Sequence, residues 1–170
     1  FKYGHVRSRA VTDVFEPGST VKPFTMSLAL ASGSFTPDSL IETSPGYYRV
    51  GGWTIHDLRD FGRLTLSGVL IKSSNIGTAK IAMEMAPEEL YRMFRDVGFG
   101  RNTGVELPGE RVGSLPNRKR WRASEHASLA YGYGVAVTPL QLARAYGILA
   151  TNGVLLPVSI RKRQRPPVGD

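Results

Sequence analysis

The sequence contains no cysteine, which excludes disulfides and thiolate metal sites but fits any compartment. Its three histidines, His5, His56 and His126, stand apart without ligand spacing, so no metal site is expected, and nothing in the pattern asks for a cofactor. No apolar run approaches the roughly 18 to 20 residues needed to cross a bilayer, and no signal peptide opens the chain. Phe1 stands where an initiator methionine would, so the chain is expected to be a piece of a larger protein with any anchor lying outside it. Acidic residues are outnumbered, 14 against 22 basic, for a net charge of +8. The basic groups gather in Arg118-Lys119-Arg120 with Arg122, and in Arg161-Lys162-Arg163 with Arg165, both beside prolines. Such runs read as solvated loops, and 161–170 as a basic, proline-rich tail, so no nucleic-acid partner is expected. What remains is 170 residues, 41% hydrophobic, enough for one core and two small lobes.

The stretch that organises the rest is Glu16-Pro17-Gly18-Ser19-Thr20-Val21-Lys22-Pro23-Phe24. It places a serine and a lysine three apart at the start of an apolar run, just after a Pro-Gly break. Residues i and i+3 share a helical face, so the Lys22 amine can reach the Ser19 hydroxyl. A serine hydroxyl attacks a carbonyl usefully only if a neighbour takes its proton, and a lysine can do so only when neutral. Bringing a lysine from its ordinary pKa to about 7 costs roughly 4 to 5 kcal/mol, so the site should be enclosed. Ser-x-x-Lys alone is weak: Ser159-Ile160-Arg161-Lys162 repeats it in the basic tail, without a helix signal. A capping serine followed by a solvent-facing lysine is the alternative reading of the first copy.

Along the chain, residues 1 to 15 read as basic and then extended, with Val11, Val14 and Phe15 available to a core. The Ser19 helix is expected to run to Gly33, and residues 35 to 40 form a loop with a short helical turn. Tyr47 to Ile55, with Gly51-Gly52 at its centre, reads as a β-hairpin. Thr65 caps a helix through Ile71, a second runs from about Ile76 to Met85, and Pro87 opens a third that Gly98 stops. Residues 98 to 117 form an ordered loop, and Thr138-Pro139 starts a last helix ending before Asn152-Gly153. The fold class is therefore mainly α with a small β-hairpin.

Ser73-Ser74-Asn75 lies between two apolar helical stretches. A hydroxyl and a carboxamide two apart on a loop can face one point; if that point is the Lys22 amine, they orient it and relay protons. By itself the string is ordinary turn chemistry.

Together, Ser19-Thr20-Val21-Lys22 and Ser73-Ser74-Asn75 resemble the first two active-site motifs of the penicillin-recognising serine acyltransferases. The longer strings Thr12 to Pro23, Gly68 to Gly77, and Tyr131-Gly132-Tyr133-Gly134 with Val137 to Ala143 resemble class B penicillin-binding proteins. Within these, they are most similar to the division-specific peptidoglycan transpeptidases of Gram-negative bacteria. The resemblance covers nearly all of residues 9 to 160. It implies a D,D-transpeptidase in which Ser19 attacks a D-Ala-D-Ala stem peptide, Lys22 is the base, and Ser73 and Asn75 complete the proton and substrate network. It further implies Glu16 and Ser74 as substrate contacts, the Ser19 amide as an oxyanion donor, and β-lactam antibiotics as covalent inhibitors. The implied setting is the periplasmic face of the inner membrane, with an upstream transmembrane anchor and division-machinery membrane proteins as partners.

The family's third motif, Lys-Ser/Thr-Gly, occurs nowhere in the sequence. The chain thus resembles the helical half of the α/β penicillin-binding fold, a partial transpeptidase domain over 1–170 without most of the central sheet. Alone it is expected to be inactive and to self-associate through uncovered core surface. A noncatalytic penicillin-binding sensor and a D,D-carboxypeptidase are the competing readings.

Overall fold

A computed structural model describes residues 7–116 and 121–161. The Arg118-Lys119-Arg120 run, His5, Lys162 and the tail beyond Arg161 lie outside the described residues. In chain order the elements are α1 (Arg9–Thr12), a 3-10 turn (Gly18–Val21), α2 (Lys22–Ala31), β1 (Leu40–Glu42), β2 (Tyr47–Val50), β3 (Trp53–His56) and β4 (Arg63–Thr65). There follow α3 (Leu66–Lys72), α4 (Asn75–Met83), α5 (Pro87–Asp96), α6 (Ala123–Ala130) and α7 (Pro139–Ala150). The chain divides into two compact units, one made of Pro17–Met93 and Pro116–Val135, the other of Phe1–Glu16, Phe94–Leu115 and Ala136–Asp170.

The first unit is built around α4. Its Ile76, Gly77, Thr78, Ala79, Ile81 and Ala82 are all buried, so this helix has no solvent stripe and packs against α2, α3 and α6. It can come so close to α3 because Gly77 has no side chain: a Cβ there would stand 2.5 and 2.8 Å from the Val69 methyls. The antiparallel β2–β3 hairpin pairs Tyr48 with Ile55 and Val50 with Trp53. Its inward residues Val50 and Ile55 join Ile76, Ala79, Ala127 and Tyr131 in one core cluster. Burial of this kind contributes about 25 cal/mol per Å² of apolar surface, and it holds the hairpin, α4 and α6 in fixed relation. Thr65 caps α3 by accepting from Gly68 N–H at 2.9 Å, as its place before an apolar stripe predicts.

In the second unit α1 packs on α7, and two antiparallel bridges, Phe15 with Val137 and Ser114 with Ala136, run beside them. Thr138 and Gln141 form a capping box at the start of α7. Gln141, 1% exposed, has a further task. Its Nε2 donates to the carbonyls of Arg101 (2.8 Å) and Val112 (2.9 Å), which pins both arms of the Gly-rich loop and gives that loop the order expected of it.

Several boundaries depart from the sequence reading. Arg9–Thr12 is a short helix rather than extended chain, and Phe15 is 41% exposed rather than a core residue. The α-helix begins at Lys22, so Ser19 sits on the preceding 3-10 turn. Leu40, expected in a loop, opens β1, which pairs antiparallel with β4 through Leu40–Thr65, Ile41–Leu64 and Glu42–Arg63. Three-residue strands joined across a whole hairpin leave no local periodic signal. α6 was also not anticipated; its Ser, Glu and His residues blur the stripe, yet Ala127, Leu129 and Ala130 are buried.

Candidate active site

Lys22 opens α2 and is 1% exposed. Its Nζ donates to the Ser73 carbonyl at 2.5 Å, the Ser73 Oγ at 3.0 Å and the Asn75 Oδ1 at 2.8 Å. Burial pushes the amine down from 10.5 to about 8, against the opposing pull of the Asp57 carboxylate. At pH 7 about a tenth of it is then uncharged, roughly 300-fold more than for a free lysine. The enclosed, depressed lysine expected from the sequence is present.

Ser73 can serve Lys22 twice because of its backbone. It ends α3 in the left-handed conformation (φ 54, ψ 39), which directs both its carbonyl and its hydroxyl at the amine. A non-glycine residue held there is strained by about 1 kcal/mol or more, and such strain gathers where geometry is needed for function. Asn75 accepts from Lys22 through Oδ1 while its Nδ2 donates to the His56 carbonyl at 3.2 Å, so the carboxamide is held at both ends.

Ser74, expected as a substrate contact, has its hydroxyl bonded inside the protein. It is fully buried and caps α4, accepting from Gly77 N–H at 2.8 Å and donating to Asp57 Oδ2 at 2.5 Å. Both capacities of its hydroxyl are engaged inside the protein. Glu16 is exposed.

Asp57 is the residue that sequence reasoning missed. From the exit of β3, its carboxylate accepts from the Ser74 hydroxyl, from Asn75 N–H at 2.6 Å and from Ile76 N–H at 3.1 Å. It therefore occupies the positive end of α4, where a carboxylate is favoured and amide donors lack helical partners. An acid immediately after a hairpin, with a later helix whose first turn carries none, was the available signal, though Asp60 in the same loop offers it too.

Ser19 is exposed and lies one 3-10 turn ahead of Lys22, whose backbone N–H donates to the Ser19 carbonyl. The turn is seated by Gly18 N–H donating to the Gly132 carbonyl at 3.1 Å. Only glycine fits at 132: φ is +89°, and a Cβ would lie 2.0 Å from the Gly18 carbonyl oxygen. The Tyr131-Gly132-Tyr133-Gly134 string thus braces the Ser19 turn. The structure brings Lys22, Ser73 and Asn75 into one hydrogen-bonded group with Asp57 behind it; the amine's bonds go to Ser73 and Asn75 rather than to Ser19. No group of three or more His, Cys, Asp or Glu among the described residues could hold a metal. Nor is any of their helices long and apolar enough to cross a membrane.

Comparison with known proteins bears on the fold and the family. A crystal structure of a peptidoglycan glycosyltransferase from Burkholderia ambifaria superposes with a TM-score of 0.92 at 46% identity, covering 99% of this chain and 53% of that one. The transpeptidase domain of Burkholderia pseudomallei penicillin-binding protein 3 also superposes at 0.92, with 48% identity over 96% of this chain and 50% of that one. Escherichia coli K12 peptidoglycan D,D-transpeptidase FtsI is 44% identical over 165 residues, 97% of this chain and 28% of the relative. The chain thus spans about half the length of its solved relatives and under a third of that curated one. Residues 2–168 match the penicillin binding protein transpeptidase domain, and the chain belongs to that family.

Proposed function

We propose that the protein carrying this segment cross-links peptidoglycan by serine acyl transfer. The observation that carries the reading is the Lys22 amine, buried, shifted to about 8, and bonded to Ser73 and Asn75 one turn after Ser19. Ser19 Oγ attacks the carbonyl of the penultimate D-Ala as Lys22 takes its proton. The C–N bond to the terminal D-Ala then breaks, and the proton returns to the leaving amine through the Lys22 and Ser73 pair. The acyl ester on Ser19 is taken by an amine of a neighbouring strand, whose surplus proton goes back along the same path. The Ser19 N–H, in the first turn of the 3-10 segment, is suited to the oxyanion, a role worth roughly 2.7 to 4 kcal/mol for one donor in a comparable site.

The likeness to FtsI supports a septal role at the periplasmic face of the inner membrane, with the anchor outside this chain and division-machinery membrane proteins as partners. Glu16 is assigned to substrate contact and Asp57 to positioning. The second oxyanion donor and most of the carboxylate site belong to the Lys-Ser/Thr-Gly strand, so residues 1–170 alone are inactive in this reading. Mass spectrometry of the full-length protein after benzylpenicillin treatment tests it. One penicilloyl group on the Ser19 peptide, absent in Ser19→Ala, is the expected result; modification elsewhere, or none, defeats the assignment.

A further inference from the structure

A cavity of about 390 Å³ opens in the first unit at the far end of α4 from Asn75. Its walls include Phe35, just past α2, Leu40 and Ile41 of β1, and Lys80, Ile81 and Glu84 at the end of α4. At 1.5 Å per helical residue, Glu84 stands roughly 13 Å along the axis from Asn75. None of Lys22, Asp57, Ser73 and Asn75 lines the cavity.

The first property that defines an occupant is the edge of β1. Leu66 N–H donates to the Ser39 carbonyl at 2.8 Å and Thr43 N–H to the Gly62 carbonyl at 2.9 Å, so residues 39, 41 and 43 direct their backbone groups at β4. Antiparallel bonding alternates, and the N–H and C=O groups of Leu40 and Glu42 therefore point away from β4. On that free side Lys80, a wall of the cavity, donates through Nζ to the Glu42 carbonyl at 2.6 Å while standing 5.2 Å from the centre of the Tyr48 ring. Among the described residues β1 has no strand neighbour but β4, and the Leu40 N–H and C=O remain open. One residue of an extended guest can exchange two hydrogen bonds with them.

The second property is charge. Glu84 caps α4 at the negative end of the helix, and its carboxylate makes no hydrogen bond or ion pair among the described residues. Lys80, the basic residue of the last turn, is engaged by Glu42 and Tyr48 instead. The complement of this end of α4 is thus a cation. Beside it, Phe35 and the 63% exposed Leu40 offer apolar surface to the stem of a long basic side chain or to an aliphatic neighbour.

We propose that the cavity is a docking site for an extended, basic segment of a partner protein, which adds to the free edge of β1 through Leu40 and sets a lysine or arginine against Glu84. The inference is independent of the acyl-transfer reading, because it uses the opposite end of α4 and none of the residues assigned to that chemistry.

The test is fluorescence anisotropy of a labelled hexapeptide of alternating valine and lysine, titrated with the full-length protein. Expected is saturable binding that Glu84→Lys weakens about tenfold, that Leu40→Pro abolishes by removing the edge N–H, and that a peptide of alternating valine and glutamate does not show. Hydrogen exchange in the parent protein reads the same contact without a variant: the Leu40 amide should be slowed when the basic peptide is at saturation. No saturable binding, which is also the result if another part of the full-length chain fills the cavity, overturns the proposal. So does equal binding of the acidic peptide, binding undiminished in Glu84→Lys, or a Leu40 amide left unprotected.

Discussion

The backbone N–H of Asn75 donates to Asp57 Oδ1 at 2.6 Å, and this bond ties the end of the Ser73-Ser74-Asn75 string to the exit of the β2–β3 hairpin. Asp57→Asn keeps the shape but removes the charge from the α4 N-terminus. It should lower stability by about 1 to 2 kcal/mol and slow β-lactam acylation by about tenfold to a hundredfold, through loosened placement of Asn75. Because Asp57 raises the Lys22 pKa, the acid limb of the pH–rate profile should also move to lower pH. An unchanged limb would remove Asp57 from the lysine network.

In the proposed acyl transfer Lys22 accepts a proton only in its neutral form, so the acylation rate constant of the full-length protein should rise with pH through a midpoint near 8 and level off above it. Lys22→Arg should abolish that limb and lower the rate by about 10² to 10⁴-fold. Stability moves in the same direction. The unfolded chain keeps its lysine proton up to 10.5 while the folded one gives it up near 8, so stability increases with pH across that window. Denaturant titrations at pH 8 and 10 would show it as a rise that Lys22→Arg lacks.

Gly132→Ala is expected to be severe. It demands a Cβ 2.0 Å from the Gly18 carbonyl oxygen at a φ of +89°. The backbone must move, and the Ser19 turn with it. A loss of about 3 kcal/mol or more, read by thermal unfolding, should accompany failure of penicillin labelling.

His126 predicts an acid weakness. It is 2% exposed, and its Nε2 has no hydrogen-bond partner among the described residues. Burial holds its pKa below the ordinary 6.5, partly offset by Glu88. The unfolded chain therefore takes up the proton first, and stability is lost as pH falls below about 6.5. Urea midpoints measured between pH 7 and 5 should fall in the parent and flatten in His126→Gln.

The two strings of the candidate site are legible in the sequence because each is short, contiguous and set at a helix boundary that Pro, Gly and Thr mark. The β2–β3 hairpin and helices α3, α4, α5 and α7 are legible for the same reason. Asp57, β1 with β4, and α6 are not. Asp57 acts across 17 to 19 residues on a helix terminus that already has its own cap. β1 and β4 owe their existence to pairing rather than to propensity, and α6 to its burial on α4. That Ser74 also caps the next helix is not legible either, because a capping serine and a serine in an active-site string look alike without coordinates.

The bonds that assemble the lysine network are all remote in sequence: Lys22 reaches 51 residues to Ser73 and 53 to Asn75. Each requires a long loop to be closed before it returns any energy, whereas the helices and the hairpin form from neighbours. The network should thus be the last part of the first unit to come together on refolding and among the first to open under denaturant. Penicillin reactivity should disappear at lower urea than helical circular dichroism, making the chemistry a finer gauge of intact folding than the bulk spectrum.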